Sequence, residues 1–507
     1  MPAQEIMLLY PLIWTLCVAG ALVATPLAVR LARAFNIMDS PGARKVHTAP
    51  VPRTGGLAII GVVLLGVALA IAMDRKAFTA FAARWKQFSG LIAASLFVGV
   101  VGLIDDVRTL KAGVKFGCQA LAALALCLLG VRVGVIAVEG LGSWPLGWLA
   151  WPLTMLWLVG LCNAVNLIDG LDGLAAGISA AGAGVMAIFA IHSGQPVVAV
   201  LMLALMGGLM GFLVFNFNPA RIFMGDCGST FVGFLLAGAG VMSATAAGSS
   251  EGLALLSLAL GVPIFDTLFS MLRRFLERRS PFAPDRGHLH HRLIKYGLVH
   301  RHAVVLIYAA TLAASGMGLF LLVTRGVATV IVFLCICLLL MLLFQVVGAV
   351  RLRECLQSLQ HNMTLAREAK MQREVFEHAQ LRIREASDFD SWWKAVCEAA
   401  KDMGVSRLSL KRVNGDGSTS ERLWCDGVHL NPHKMITTTV PIRRRGGSAP
   451  LQAQVDVPVN GTLESAGLTV KFFSRLIDEN SLADLSADED LKLASVEKAP
   501  TDTQEGN

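Results

Sequence analysis

Carboxylate, amide, histidine and basic side chains are gathered in five polar segments of a chain that is otherwise strongly apolar. Side chains of these types can bind a divalent cation, hydrogen-bond phosphate oxygens and exchange protons. Charged and amide groups are costly at membrane depth, so a chain that keeps many of them there is expected to use them on a substrate. The segments are 39–56, 105–115, 163–173, 216–229 and 273–292.

The second segment begins with two adjacent carboxylates. Asp105 and Asp106 occur in Gly-Leu-Ile-Asp-Asp, at the end of an apolar run. Two like charges side by side at a bilayer edge are destabilising unless a cation neutralises them. Lys111, Lys115 or a divalent metal could do so. For this pair taken alone, two helix-end charges reaching into water is the better interpretation.

The third segment has a spacing that can grip a single ligand. Asp169 and Asp172 lie three residues apart, so on a helical turn they would share a face with Asn166. Gly170 and Gly173 allow close backbone approach or left-handed backbone angles, which suits a phosphate or nucleotide contact. A calcium loop is excluded because the closing Glu and regular spacing of that motif are missing.

The fourth segment places Asp226 between two glycines, just before an apolar run. A lone hard carboxylate suits magnesium, which takes one or two protein carboxylates and completes its octahedron with water and phosphate oxygens. Phe223 could stack on a base or pack against lipid, and the aromatic base rate favours packing.

The fifth segment concentrates hydrogen-bond donors. His288, His290 and His291 crowd together, and arginines including Arg274 match phosphate oxygens in pairs. Two alternatives stay open here. The histidines could belong to a solvated polar loop, and the positive-inside rule alone would explain Arg278 and Arg279.

The elements that must position these segments are predicted transmembrane helices. With 55% hydrophobic and 16% charged residues and a mean hydropathy of +0.61, the composition excludes an ordinary soluble protein. A span needs about 20 apolar residues, and about eleven runs approach that length. They lie near 7–29, 55–73, 88–104, 114–131, 146–165, 173–192, 197–215, 228–247, 252–272, 303–324 and 327–349.

Lysine and arginine are concentrated in the loops that follow odd-numbered spans, and those loops carry all five polar segments. The positive-inside rule therefore predicts that the segments face the cytoplasm, with the N-terminus outside and the C-terminus inside. The first span lacks a cleavage site and is interpreted as a retained helix. The ten cysteines lack the spacing of a disulfide framework or a zinc site.

Together, the five ordered motifs resemble the polyprenyl-phosphate N-acetylhexosamine-1-phosphate transferase family. The similarity covers about residues 5–350 and is closest to the undecaprenyl-phosphate N-acetylglucosamine-1-phosphate transferase branch. The histidine motif Pro-Asp-Arg-Gly-His-Leu-His-His-Arg-Leu is similar to that branch and differs from the consecutive triplet of muramoyl-pentapeptide transferases.

The resemblance implies transfer of a sugar 1-phosphate from a UDP-amino sugar to undecaprenyl phosphate, with release of UMP. It implies a Mg²⁺ requirement, with Mn²⁺ as a substitute, and a dimer, as is common in relatives. It also implies a bacterial cytoplasmic (inner) membrane location with the active site on the cytoplasmic face. The donor could carry N-acetylglucosamine, N-acetylgalactosamine or N-acetylfucosamine. The polymer could be O-antigen, exopolysaccharide or teichoic acid.

The resemblance also implies roles for matching residues. Asp105 matches the aspartate thought to activate the lipid phosphate, Asp106 supports it, and Asp226 matches the magnesium ligand. The other matches are Asn166, Asp169 and Asp172 in the nucleotide and metal region, Phe223 stacking on uracil, Lys45 and Arg53 on substrate phosphates, and His288, His290, His291 and Arg274 in the donor-rich loop.

One position departs from the family pattern. The family's Asp-Asp-x-x-Lys has its lysine where this chain has Thr109, so Lys111 or Lys115 must substitute, and Lys115 is the closer local match. Direct attack by the lipid phosphate and an aspartyl-phosphate intermediate both remain open. We favour direct attack, with Asp105 as base or positioner.

The predicted domains are a transmembrane transferase domain at 1–350, a cytoplasmic helix with a small α+β domain at 351–480, and a disordered tail at 481–507. Helices are predicted at 351–386, 391–403 and 465–476, and strands at 407–413 and 435–440. This domain is faintly similar to half of a ligand-sensing GAF domain and could bind a protein partner. The fold class is thus an all-α polytopic membrane protein with an α+β C-terminal domain.

Two other classes of protein fit part of the sequence. A nucleotide-sugar transporter would have a similar number of helices and a basic face, but it needs polar groups near the midplane and repeat symmetry. A noncatalytic scaffold of a polysaccharide assembly complex would use the C-terminal domain and would not need the five clusters. No feature suggests nucleic-acid binding.

Overall fold

The computed structural model describes residues 2–35, 37–39, 50–73, 75–138, 140–276, 288–324, 326–346, 352–413, 419–426, 435–442, 451–459 and 462–480. The chain divides into two compact units, Met1–Leu352 and Arg353–Asn507. The predicted tail at 481–507 lies outside the described residues.

The first unit is almost entirely helical. Its helices are α1 (Pro2–Ala34), α2 (Gly55–Met73), α3 (Arg75–Ala83), α4 (Trp85–Val107), α5 (Ala112–Leu128), α6 (Ala150–Ile168), α7 (Leu174–His192), α8 (Pro196–Asn216), α9 (Gly225–Ala247), α10 (Glu251–Ala259), α11 (Gly261–Leu276), α12 (Leu289–Lys295), α13 (His300–Gly318) and α14 (Val327–Val346). Short 3-10 turns cover Gly147–Leu149 and Leu319–Leu322.

Nine helices of the described part are long and apolar enough to cross a membrane. The helices α10 and α11 are bent by 75° at their junction and give a tenth span if they are counted as one. Helix α5 is apolar but has 17 residues, fewer than the roughly 20 that a perpendicular span needs. The chain is a multi-pass membrane protein, while the count of eleven spans stays a prediction.

Helix α9 lies at the centre of this unit. Every residue in the most apolar stretch of Gly225–Ala246 is buried, whereas only 17% of the corresponding stretch of α14 is buried. It packs against α2, α4, α6, α7, α8 and α10. Glycines make this possible, because small residues let membrane helices approach closely. A β-carbon at Gly56 or Gly102 would overlap the α9 backbone at Gly228 or Asp226, and one at Gly233 would lie 2.9 Å from Cys162 Cα.

Two short antiparallel hairpins interrupt the helices of the first unit, which was predicted to be all-α. Strand β1 (Met38–Asp39) pairs with β2 (Val51–Pro52). Strand β3 (Val135–Val138) pairs with β4 (Gly142–Pro145), with Val138 opposite Gly142. The second hairpin turns at Gly140 and Gly142, whose φ angles of 81° and 125° favour glycine.

The second unit is a two-layer α+β domain. It contains α15 (Leu352–Arg384), α16 (Phe389–Asp402), β5 (Arg407–Val413), β6 (Thr419–Cys425), β7 (Met435–Ile442), β8 (Leu451–Pro458) and α17 (Leu463–Glu479). The sheet order is β6-β5-β8-β7, and each neighbouring pair is antiparallel.

The core of the second unit forms where the helices cover one face of its sheet. Trp392, Leu408, Val455 and Phe473 are buried there. The predicted helices and two predicted strands coincide with elements of this domain, but β6 and β8 were missed. Strand β8 alternates between apolar and polar residues from Leu451 onward, a strand signal that was overlooked, whereas the apolar residues of β6 lie only at its end, from Leu423 to Cys425.

The close approach of α4 to α9 gives a stability test. Gly102→Ala is expected to force these helices apart and to destabilise the protein by about 1–3 kcal/mol, as overpacking does. Gly61→Ala is the matched control, because a β-carbon there would meet nothing within 4 Å. Thermal unfolding of the purified variants in detergent measures the difference. Equal unfolding temperatures for Gly102→Ala and Gly61→Ala would contradict the packing described here.

Candidate active site

The polar segments converge at the N-terminus of α9. The first segment joins the fourth through backbone hydrogen bonds, in which Phe223 N donates to Pro52 O at 2.8 Å, and Gly55 N and Gly56 N donate to the carbonyls of Phe223 and Met224 at 3.0 and 2.9 Å. Their close approach requires glycine, since a β-carbon at Gly55 would lie 2.5 Å from Phe223 O.

One lysine links the second and fourth segments. Lys115 Nζ lies 2.6 Å from Asp105 Oδ2 and 2.9 Å from Asp226 Oδ2. Leu110 N donates to the other oxygen of Asp105 at 2.6 Å. Lys111 is the N-cap residue of α5, and Lys115, one turn further along, reaches both carboxylates. The structure thus places Lys115, of the two candidate lysines, between the predicted catalytic and metal-binding aspartates.

Asp106 fixes the start of α9. Its carboxylate oxygens accept hydrogen bonds from Asp226 N and Cys227 N, both at 3.0 Å. These are backbone donors that a helix N-terminus leaves without an intrahelical partner, and a carboxylate there also interacts favourably with the helix dipole. Gly225 precedes them with φ of 72°. Asp106 therefore holds the backbone that carries Asp226.

The third segment contacts α9 and the loop before it. Ser229 Oγ donates to Asn166 Oδ1 at 3.0 Å. Asp172 Oδ2 accepts from Asn218 Nδ2 at 2.9 Å and from Ala220 N at 3.0 Å. As its composition predicts, the turn uses glycine, because Gly173 has a left-handed φ of 81°. Asp172 thereby joins the third and fourth segments.

Asp169 follows the last residue of α6 and lies among carboxylates. Burial raises its pKa well above the usual range, and the charges of Asp226, Asp106 and Asp172 raise it further, while Arg53 lowers it. Asp169 consequently holds a proton to higher pH than an exposed aspartate does. The same neighbours indicate strong negative charge at the N-terminus of α9, which favours a bound cation.

The histidines of the fifth segment lie against the third segment. A β-carbon at Gly170 would lie 2.9 Å from His290 Nε2, so glycine is needed for this contact. The ring centroid of His290 lies 5.8 Å from that of His288 and 4.3 Å from that of His291. Burial, together with the neighbouring His291 and His288, lowers the pKa of His290 to about 3. His290 is therefore a neutral imidazole at physiological pH.

His288 has a partner that sequence reasoning missed. Its Nδ1 lies 2.9 Å from Asp266 Oδ2, and Leu289 N donates to Asp266 Oδ1 at 2.8 Å. The available signal was an isolated carboxylate inside a predicted apolar span, which is costly unless it is used. Asn216, Asn218 and Ser229 were also missed as individual residues, although all three lie in the fourth polar segment.

The remaining predicted binding residues have different surroundings. Arg53 forms an ion pair with Asp39 at 2.9 Å and is 36% exposed, so part of its guanidinium is accessible. Arg274 is buried near the end of α11. Phe223 is partly buried. Lys45, like Arg278 and Arg279, lies outside the described residues.

The donor set can be compared with what magnesium requires. Across the described residues, no group of three or more His, Cys, Asp or Glu side chains is arranged to hold a metal. Magnesium does not need such a cage, because one or two carboxylates suffice when water and substrate phosphates complete the octahedron. Asp226 and Asp105, both in contact with one ammonium group, offer oxygens of that kind. The residues present fit this mode of binding.

Part of the chain matches a known family and its members. The sequence model of glycosyl transferase family 4 matches residues 88–244. A Bacillus subtilis (strain 168) protein described as a probable undecaprenyl-phosphate N-acetylglucosaminyl 1-phosphate transferase is 39% identical over 289 residues, covering 57% of this chain and 78% of the relative.

Two further relatives match a similar share of the chain. The decaprenyl-phosphate N-acetylglucosaminephosphotransferase of Mycolicibacterium smegmatis (strain ATCC 700084 / mc(2)155) is 38% identical, covering 55% of this chain and 73% of the relative. The undecaprenyl-phosphate alpha-N-acetylglucosaminyl 1-phosphate transferase of Yersinia pestis is 28% identical, covering 57% and 77%. The chain therefore belongs to glycosyl transferase family 4, in its undecaprenyl-phosphate N-acetylglucosamine-1-phosphate transferase branch, and is an enzyme of the phosphotransferase type.

Proposed function

We propose that this enzyme transfers N-acetylglucosamine 1-phosphate from its UDP-linked form to undecaprenyl phosphate. An oxygen of the lipid phosphate forms a bond to the phosphorus that carries the sugar, and the bond from that phosphorus to the UMP oxygen breaks. The products are undecaprenyl-diphospho-N-acetylglucosamine and UMP. The activities for which the relatives are named support the sugar and the lipid.

The contact of Lys115 with both Asp105 and Asp226 is the observation that carries this proposal. Donor pyrophosphate and acceptor phosphate repel each other, so transfer between them needs cationic groups at the point where they meet. Lys115 supplies one such charge, between the C-terminal end of α4 and the N-terminal end of α9. The two carboxylates keep the ammonium group in place and can also accept a metal.

Asp226 would hold Mg²⁺, or Mn²⁺ in its place, with Asp105 beside it. When bound, the metal supplies charge that screens the repulsion between the phosphates and stabilises the leaving phosphate. The accumulation of carboxylates around Asp226, which raises the pKa of Asp169, supports cation binding at this place.

We assign Asp105 to the lipid phosphate, as base or positioner, in a direct attack. Both of its oxygens already have donors, from Lys115 and Leu110. A carboxylate engaged in this way is better suited to positioning than to forming a phosphoaspartate, because nucleophilic attack would require release of one of these donors. Asp106 acts beside it by holding the start of α9.

The donor nucleotide is assigned to the third and fourth segments. Asn166, Asp169 and Asp172 orient it, and Phe223 stacks on uracil. The basic and histidine side chains of the first and fifth segments hold the pyrophosphate of the nucleotide sugar. These residues are Lys45, Arg53, Arg274, His288, His290 and His291. Contact between Gly170 and His290 supports a shared role for the third and fifth segments.

We further propose that the site faces the cytoplasm in the bacterial inner membrane, with the N-terminus outside. A soluble nucleotide sugar and a lipid phosphate can meet at that surface.

Residues 1–350 form the catalytic domain, and the enzyme acts as a homodimer. The product initiates a cell-surface polysaccharide such as O-antigen. The C-terminal domain binds a protein partner.

The reaction is tested with the purified full chain in detergent and UDP-N-acetylglucosamine labelled in the sugar. Label is expected to enter undecaprenyl phosphate with magnesium but not with EDTA, together with equimolar UMP. UDP-N-acetylgalactosamine serves as the comparison donor. Folded protein that labels no lipid with any UDP-amino sugar would reject the proposal and favour a transporter or scaffold.

Neutralising either of the two carboxylates that contact Lys115 should abolish most of the transfer activity. Asp105→Asn and Asp226→Asn are each expected to reduce kcat at least about 100-fold, the scale of a lost acid-base or charge-stabilising group. Unfolding temperatures should remain close to wild type, because the side-chain volume is unchanged. Asp478→Asn, on the exposed surface of α17, is the matched control. Turnover like wild type in either site variant would refute its assigned role.

Truncation after Leu352 tests whether the first unit alone carries the transferase activity. All of the assigned catalytic and binding residues precede this boundary, so the truncated chain is expected to retain most of its transferase activity in membranes. Specific activity should be normalised to the amount of folded protein, measured by detergent size-exclusion chromatography. Complete loss of activity in a well-folded truncation would place the C-terminal domain in the catalytic mechanism.

A further inference from the structure

Asp266 is a buried charge inside an apolar helix. It is 5% exposed and is the one acidic residue in Gly261–Leu276. A buried carboxylate is destabilising unless its oxygens are satisfied. Here both are, since Oδ2 faces His288 Nδ1 at 2.9 Å and Oδ1 accepts from Leu289 N at 2.8 Å. Asp266 therefore anchors the start of α12 by one side-chain and one backbone contact.

The contact also determines which nitrogen of His288 can reach a ligand. An ionised carboxylate only accepts hydrogen bonds, so His288 Nδ1 must carry the hydrogen. In the neutral ring, Nε2 then carries the lone pair. In the protonated ring, Nε2–H donates and Asp266 compensates the charge. Nε2 is left for a partner outside this pair.

The surroundings of His288 place it beside the third segment. Its ring is stacked with that of His290 at an interplanar angle of 5°, and His290 in turn contacts Gly170. Two titratable groups therefore lie against the His288 ring, namely Asp266 from α11 and His290 from α12. His290 is neutral, so Asp266 supplies the charge next to the ring.

Building on the proposed function, we propose that Asp266 is a positioning residue for the transfer reaction. It holds the His288 ring in the orientation that presents Nε2 to the donor pyrophosphate, and its negative charge supports the protonated form of that ring. As the bond to UMP breaks, negative charge grows on the leaving phosphate, and Nε2–H of the protonated ring stabilises it by a hydrogen bond. His288 does not transfer its proton in this step. The reaction is therefore balanced, because UDP-sugar and lipid phosphate are converted to the diphospholipid and UMP.

The Asp266→Asn variant distinguishes positioning of His288 for catalysis from simple attachment of the start of α12. The asparagine oxygen can still accept from Leu289 N, but the amide NH₂ would face His288 Nδ1 and force that nitrogen to accept. A protonated Nδ1 would then meet the amide NH₂ without a compensating charge, so His288 could present Nε2–H only from the neutral ring, which stabilises the leaving phosphate less. We expect kcat to fall at least about 30-fold, within the range observed when a residue supporting a catalytic group is lost, with little change in unfolding temperature.

A double-mutant cycle shows whether Asp266 acts through His288. The single variants Asp266→Asn and His288→Ala are compared with the combined variant, using kcat for label transfer from UDP-N-acetylglucosamine. Because residues that act as a unit are non-additive, the combined variant should be no slower than His288→Ala. Asp266→Glu, which retains the carboxylate, should be faster than Asp266→Asn. Thr267→Val, the next buried residue of α11, should turn over like wild type.

The outcomes separate this proposal from the proposed function. If wild type transfers label but Asp266→Asn or His288→Ala is equally active, the positioning role is wrong while the function stands. If the two single losses multiply in the combined variant, Asp266 acts independently of His288, and the proposal is also wrong. If wild type itself transfers no label, the proposed function fails, and the role of Asp266 in that reaction fails with it.

Discussion

The pairing of Lys115 with Asp105 and Asp226 is the interaction on which the candidate site depends. Four carboxylates, those of Asp105, Asp106, Asp169 and Asp226, are gathered near the N-terminus of α9, and like charges this close repel strongly in a partly desolvated place. This repulsion is offset because the Lys115 ammonium group contacts Asp105 and Asp226. Two backbone N–H groups also donate hydrogen bonds to Asp106. The remaining excess of negative charge suits a cation.

This arrangement requires a buried helix with small residues along it. Helix α9 is covered on all sides, and glycine contacts at Gly56, Gly102 and Gly233 bring α2, α4 and α6 close to it. Close packing holds the helix ends in fixed positions, because such an interior resists displacement. The polar groups at those ends therefore have defined distances, as phosphoryl transfer needs.

A second anchor acts on the histidines. The carboxylate of Asp266 holds the start of α12 through His288 and Leu289, and His290 contacts the third segment through Gly170. The C-terminal unit has its own hydrophobic core, and none of the assigned site residues belongs to it. Its four-stranded sheet and covering helices form a separate fold.

Hydropathy and motif order predicted the membrane class and the family, and they singled out Asp105, Lys115 and Asp226, whose side chains the structure brings together. These properties follow from local composition, since apolar runs long enough to span a bilayer and polar segments between them are visible in the chain itself. The left-handed turn at Gly173 was predictable for the same reason. Strand β8 was overlooked although its residues alternate between apolar and polar, and β6 was missed because its own residues show no such alternation, so that its pairing with β5 carries the assignment.

Only the tertiary structure decided which side chains contact each other. It placed Lys115, and not Lys111, between Asp105 and Asp226, although these aspartates are far apart in the sequence. It assigned Asp106 to the α9 backbone and paired His288 with Asp266. Spacing along the chain determines the face of one helix, but distances between helices depend on how their surfaces pack, and that packing involves residues distant in sequence.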